Sequence, residues 1–234
     1  MANEYLWLIL FIIDFAFAIL AIYLFGKLGL YITIVTSIIL CNIQVLKVID
    51  LFGMTIALGN VAYASIFLAT DLLAECYGPK ESKRGVLVGF FVLIAFSTIM
   101  HLVTLLKPST ADINNQAMQV IFSKTLRVSM ASLVAYLCAQ YLDVFLYTKI
   151  KAYTKSEHLW LRNNVAGICA QLLDSILFVI LAFYGDYSLK VMYSIIVTTI
   201  IFKAAISLLN TPILYMGRYL LVKQQKLTDG LVTA

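Results

Sequence analysis

The sequence predicts an all-α, polytopic membrane helical bundle, and three observations carry that prediction. Of 234 residues, 62% are hydrophobic and only 12% are charged, against about 45–50% apolar and about 25% charged in soluble domains. The mean hydropathy is +0.96, which means more apolar surface than a water-soluble core can enclose. Apolar runs of the ~20 residues that a helix needs to cross the hydrocarbon recur along the chain without period-two alternation. Within lipid the backbone must satisfy its own polar groups, so only helices or a closed barrel can span. The missing alternation excludes the barrel.

Seven spans are expected, at 5–25, 28–48, 54–77, 85–106, 125–147, 163–184 and 191–216. The first is a span rather than a signal peptide, because Glu4 stands where a basic n-region belongs and the apolar stretch is too long. Between the third and fourth, Lys80-Glu-Ser-Lys-Arg84 acts as a topology signal. The fourth opens on Gly85-Val-Leu-Val-Gly89, a GxxxG spacing that lets a helix pack closely. A polar loop with Pro108 follows, and its end, 117–122, is expected on the membrane surface. The fifth and sixth spans share an internal echo, Cys-Ala-Gln-x-Leu-Asp, at 138–143 and again at 169–174. Each Gln and Asp of that echo lie three residues apart, hence on one helix face. Ala131, Ala135 and Ala139, with Ala166 and Ala170, allow close approach of the two helices, and a small-residue face of this kind also permits a homodimer. The sixth span has Trp160 at its entrance, as an interfacial aromatic.

Alternating the spans puts Lys27, Lys80, Lys83, Arg84, Lys149, Lys151, Lys155, Arg218, Lys223 and Lys226 on one side and Lys47, Lys107, Lys124 and Lys190 on the other. The positive-inside rule then places the N-terminus outside and the C-terminus inside. The net charge of +5 is spread over short loops, which is not a nucleic-acid signal. Cys41, Cys76, Cys138 and Cys169 form no CxxC or Cys/His cluster; they are expected as reduced, buried thiols acting as small hydrophobes, and neither metal nor cofactor is expected.

The chemistry lies in polar residues within the spans. Asp14, Asp71, Glu75, Asp143 and Asp174 fall there, with Arg127, Lys203, Asn42, Gln44, Gln140 and Gln171. A charge at mid-bilayer costs a few kcal/mol even on insertion scales, so such groups should face a bundle interior or a wet cavity. At about 1.5 Å per residue, Asp174 and Lys203 fall near mid-span, with Asp71 and Asp143 about 7–10 Å from the cytoplasmic ends; the four are expected to converge on one cavity. Asp14 reads as structural or interfacial, Glu75 as near the interface, and Arg127 and Lys124 as snorkelling anchors. No GxSxG, HExxH, P-loop or GxGxxG motif is present. An intramembrane hydrolase using Asp143 and Asp174 would lack the sequence context such a carboxylate pair needs, so no enzyme is expected.

Ile66-Phe-Leu-Ala-Thr-Asp-Leu-Leu-Ala-Glu-Cys-Tyr-Gly78, followed by basic Lys80, Lys83 and Arg84, resembles the signature of the queuosine precursor transporter family, also called the vitamin uptake transporter (VUT) family. Further similar stretches follow in order: Asn42; Arg127-Val-Ser-Met-Ala-Ser132 with Ala135-Tyr136; Gln140-Tyr-Leu-Asp143; Leu159-Trp-Leu-Arg-Asn163; Gln171-Leu-Leu-Asp174; Lys203; and Thr211-Pro212 with Tyr215. The resemblance covers roughly 31–220 and departs from the family where Ala166 and Gly167 replace small hydroxyl residues. It implies a six-helix transporter core at 28–222, one extra transmembrane helix at 1–27 and a cytoplasmic tail at 223–234. It also implies import of 7-deazaguanine bases (7-cyano-7-deazaguanine, 7-aminomethyl-7-deazaguanine or queuine) across a bacterial inner membrane. The implied site is Asp71, Gln140, Asp143, Gln171 and Asp174, supported by Asn42 and Lys203; Glu75, Arg127, Trp160, Arg162, Asn163, Phe67 and Tyr136 are secondary candidates. A carboxylate accepts two N–H groups of a guanine-like edge, an amide serves its carbonyl, and rings stack on its face. The alternative is a substrate-binding membrane subunit of an ATP-energised uptake system.

Overall fold

The computed structural model describes residues 3–153 and 159–232; within them, the side chains at 79, 140, 143–144, 147–148, 151–152, 159–164, 166–167, 204–212, 214 and 224–232 lie outside the described set. The order is α1 (Asn3–Phe25), α2 (Lys27–Gln44), β1 (Val48–Leu51), β2 (Met54–Ala57), α3 (Asn60–Tyr77), α4 (Pro79–Thr104), α5 (Asn115–Tyr153), α6 (Leu159–Phe183) and α7 (Leu189–Val232). The molecule is an all-α polytopic bundle to which one small hairpin has been added.

Its polarity is inverted relative to a soluble protein. Phe17, Leu87, Phe91 and Tyr193 are exposed, whereas Asn42, Ser97, Ser129 and Asp174 are buried. Apolar side chains meet lipid at no hydrophobic cost, and polar ones gather where partners exist. Four helices among the described residues are long and apolar enough to cross a membrane: Asn3–Phe25, Lys27–Gln44, Lys80–Thr104 and Asn115–Ala139. α3, which carries Asn60, Thr70 and Asp71, is less apolar and sits at the centre, packed on α1, α2, α4 and α7. Its Leu68, Ala69, Leu72 and Leu73 are fully enclosed.

Small residues set the close approaches. A Cβ on Gly85 would meet Leu73 Cδ1 at 2.8 Å and Ile34 Cδ1 at 2.9 Å, and one on Gly89 would meet Ile34 Cγ2 at 2.9 Å. The GxxxG spacing is thus the seam of α4 on α2 and α3. Ala131, Ala135, Ala139 and Ala170 are buried, and α5 and α6 pack along an extended seam. Ser97 Oγ of α4 and Ser129 Oγ of α5 share a hydrogen bond of 2.5 Å.

Three expectations are corrected. The third span does not begin at residue 54: α3 starts at Asn60, and the residues before it form the antiparallel hairpin, with Leu51 opposite Met54. Its two-residue loop has positive φ at both positions, 50° at Phe52 and 74° at Gly53, as a type I′ turn requires. The hairpin's backbone groups find partners beyond its own ladder. Thr55 C=O accepts from the hydroxyls of Ser194 and Thr198, each at 3.3 Å. Asp50 C=O accepts from Asn3 Nδ2 at 2.8 Å, and Phe52 N–H donates to Glu4 Oε1 at 3.3 Å. Second, the segment 117–122 is not the end of a loop but part of α5. The 39 residues of α5 give a helix of about 58 Å, well beyond the hydrocarbon. Third, the four thiols are not all buried: Cys138 is exposed, and Cys41, Cys76 and Cys169 are half-buried.

Candidate functional site

α3 is entered through Gly59 and left through Gly78-Pro79. Gly59 has φ 108°, and a Cβ there would lie 2.9 Å from the Cys41 carbonyl oxygen, so the start of α3 is held against the end of α2. From that fixed start, Asn60, Tyr63, Phe67 and Asp71 recur at i, i+3, i+7 and i+11. At 100° per residue they form one stripe. All four line a cavity of about 290 Å³.

The other walls come from α2 (Ile38, Cys41 and Asn42), α4 (Ser82, Val86 and Phe90), α5 (Ser132 and Tyr136), α6 (Asp174 and Phe178) and α7 (Thr199 and Lys203), with Ala57 of β2. Lys203 Nζ lies 2.6 Å from Asp174 Oδ2, and both side chains are 12% exposed. Tyr63 Oη donates to the same Oδ2 at 3.3 Å, and the ammonium sits 4.5 Å from the Tyr63 ring centroid. One carboxylate oxygen thus receives a cation and a phenol together, while the phenol ring offers its negative face to that cation. Asn42 Nδ2 donates to Ile38 C=O at 2.8 Å and its Oδ1 accepts from Ser132 at 3.1 Å. Asn42 therefore ties α2 to α5 at the cavity wall. Tyr63 and Phe67 meet edge-on at 4.9 Å, and Phe90 and Tyr136 lie 5.0 Å apart. Aromatic pairs thus come from two separate sides.

Of the sequence candidates, Asp71, Asp174, Asn42, Lys203, Phe67 and Tyr136 line this one cavity. Asp71 stands eight residues past Tyr63, about 12 Å along the helix, so the two carboxylates occupy different depths. Gln171 is exposed and is not among the lining residues. Glu75 pairs with Arg218 at 3.2 Å outside the cavity. Arg127 donates to the carbonyls of Leu181 at 2.9 Å and Tyr184 at 2.6 Å, fastening α5 to the end of α6. The side chains of Gln140, Asp143, Trp160, Arg162 and Asn163 lie outside the described residues. Asp14 accepts a hydrogen bond from Ser65 and joins α1 to α3. Asn60, Tyr63 and Ser132 were not singled out from the sequence. The available signal was helical spacing, counted back from Asp71 to Tyr63 and Asn60.

A multi-pass helical bundle enclosing a chamber with an internal ion pair and aromatic walls defines the class: a polytopic membrane protein with a solute-sized cavity among its helices. A family model described as "Putative vitamin uptake transporter" matches residues 57–217. The chain is 37% identical over 227 residues to the "Probable queuosine precursor transporter" of Bacillus subtilis (strain 168), covering 97% of this chain and 99% of that one. No solved structure matches the chain. The chain belongs to the vitamin uptake transporter family, and it is a transporter rather than an enzyme.

Proposed function

We propose that this protein imports 7-deazaguanine bases, the precursors of queuosine in tRNA, across a bacterial inner membrane, with its N-terminus outside. The carrying observation is the cavity: about 290 Å³, with Asp71 and the Asp174–Lys203 pair among aromatic walls. That volume is at the small end for ligand sites, a size for a fused bicyclic base rather than a large cofactor. Tyr63 and Phe67 on one side and Phe90 and Tyr136 on another offer faces to a flat heterocycle. Carboxylates suit its N–H groups. The name of the Bacillus relative supports the same solute class, and the Lys and Arg bias of the loops supports the orientation.

The test is uptake. Cells unable to make 7-deazaguanine bases are supplied with labelled 7-cyano-7-deazaguanine, 7-aminomethyl-7-deazaguanine or queuine, and queuosine in their tRNA is measured. Expression of the chain should restore it for at least one base. Membrane-inserted protein that restores it for none would refute the proposal.

A further inference from the structure

Among the described residues, the charged side chains that line the cavity are two carboxylates, Asp71 and Asp174, and one ammonium, Lys203. Lys203 neutralises Asp174 at 2.6 Å. Asp71 is exposed along the stripe of α3 and has no hydrogen bond or ion pair among the described residues. The described walls of the chamber therefore carry one negative charge in excess. Glu75, four residues further along α3, differs in having Arg218 at 3.2 Å. An ionisable residue within a membrane bundle is costly to keep and marks the path of a solute or an ion. Its place on the stripe says which. Tyr63, Phe67 and Asp71 follow at steps of four residues, so each neighbours the next on the helix surface, with about 5–6 Å between Cβ atoms. Tyr63 is bonded to Asp174 and belongs to the neutralised end of the chamber, and Asp71 is the negative end. Phe67 stands between them with an exposed ring, so a flat base resting on that ring is one helical turn from Asp71.

We infer that Asp71 pairs with an alkylammonium on the transported base, so that the preferred solute is a deazaguanine whose 7-substituent carries a positive charge. This rests on the deazaguanine reading above and chooses among its three bases. 7-Aminomethyl-7-deazaguanine carries a primary ammonium and queuine a secondary one. 7-Cyano-7-deazaguanine has neither a charge nor a donor at that position. An ammonium donates charge-assisted hydrogen bonds to a carboxylate, and with it bound the described walls and the solute sum to zero charge. A nitrile nitrogen only accepts, so at Asp71 it sets acceptor against acceptor and displaces the water that the carboxylate would otherwise hold. A polar group left unpaired in this way is the basis of strong discrimination between similar solutes. At the other end of the chamber Lys203 repels a second cation, so the same charges that choose the solute also fix which way round it lies.

Calorimetric binding to purified full-length protein in nanodiscs tests this at neutral pH with 7-aminomethyl-7-deazaguanine and 7-cyano-7-deazaguanine. Wild-type protein should bind the aminomethyl base at least about tenfold more tightly, the return on one hydrogen-bonded charge pair. Asp71→Asn should weaken binding of the aminomethyl base about tenfold and bring the two affinities to within about threefold of each other. Equal affinity of the wild type for the two bases, or tighter binding of the cyano base, would overturn the inference and leave the deazaguanine reading standing, whether or not the variant folds. A preference that Asp71→Asn keeps in full would overturn it too. Should the wild type bind neither of these bases nor queuine, the deazaguanine reading itself fails, and the role of Asp71 falls with it.

Discussion

Lys203 of α7 and Asp174 of α6 form an ion pair of 2.6 Å inside the cavity wall, with Tyr63 of α3 donating to the same carboxylate oxygen. Three helices thus meet on one atom. Taking one charge from such a pair leaves the other uncompensated in poorly hydrated surroundings, at a cost on the order of 3 kcal/mol. Lys203→Met and Asp174→Asn should each lower the melting temperature and abolish uptake. The double variant should regain most of the stability and none of the uptake. A double variant no more stable than the worse single one would show that the two residues are not energetically coupled.

Asp71 is a different case. It is exposed along the cavity stripe of α3, and no hydrogen bond or ion pair to it is present among the described residues. Asp71→Asn should therefore change stability by no more than about 0.5 kcal/mol while reducing uptake at least tenfold. Uptake at the wild-type rate in vesicles would remove Asp71 from the site.

Two glycines separate backbone from side-chain crowding. A Cβ at Gly29 would collide with the carbonyl oxygen of Ala21, whereas at Gly217 the nearest atom is Leu72 Cδ1 at 2.7 Å. A leucine methyl turns aside, but a helix backbone does not. Gly29→Ala should separate α1 from α2 and cost upwards of about 3 kcal/mol, and Gly217→Ala about 1 kcal/mol. Thermal melting of the two variants side by side reads the difference, and equal losses would contradict it.

The hairpin turn carries a non-glycine residue in left-handed backbone, Phe52 at φ 50°. Asn is favoured there ahead of a glycine, and the left-handed region costs a bulky residue about 1–2 kcal/mol. Phe52→Asn should raise the melting temperature by several degrees. A lower one would mean that the exposed Phe52 ring contributes more than its backbone costs.

Much of the architecture was legible because bilayer thickness fixes how long an apolar run must be, and such runs recur along the chain. Of the four residues expected to converge, Asp71, Asp174 and Lys203 line one cavity and Asp143 lies outside the described side chains; the convergence was legible for a related reason, since charged groups are costly in lipid. The hairpin was not. Val-Ile-Asp-Leu and Met-Thr-Ile-Ala are apolar enough to pass for span ends, and only the Phe-Gly between them marks a turn. Asn60 was hidden by the same misreading, since a third span started at residue 54 leaves it unremarkable. Gln171 shows the converse: the pattern Gln-x-x-Asp puts Gln171 and Asp174 on one face, yet three residues turn the helix by 300°, and a 60° offset is enough to leave Gln171 outside the cavity wall while Asp174 is within it.

The hydroxyls of Ser194 and Thr198 that reach Thr55 come from residues 139 and 143 positions later in the chain. Lys203 lies on the same helix as those hydroxyls. Synthesis runs from the N-terminus, so hairpin and Asp174 alike emerge from the ribosome before the groups that satisfy them. Until α7 enters the membrane, the strand carbonyl waits for those hydroxyls, and the Asp174 carboxylate has the Tyr63 phenol but not its cation. The last helix to be made therefore completes the chamber, bringing the cation to Asp174 and the hydroxyls to Thr55 in one step.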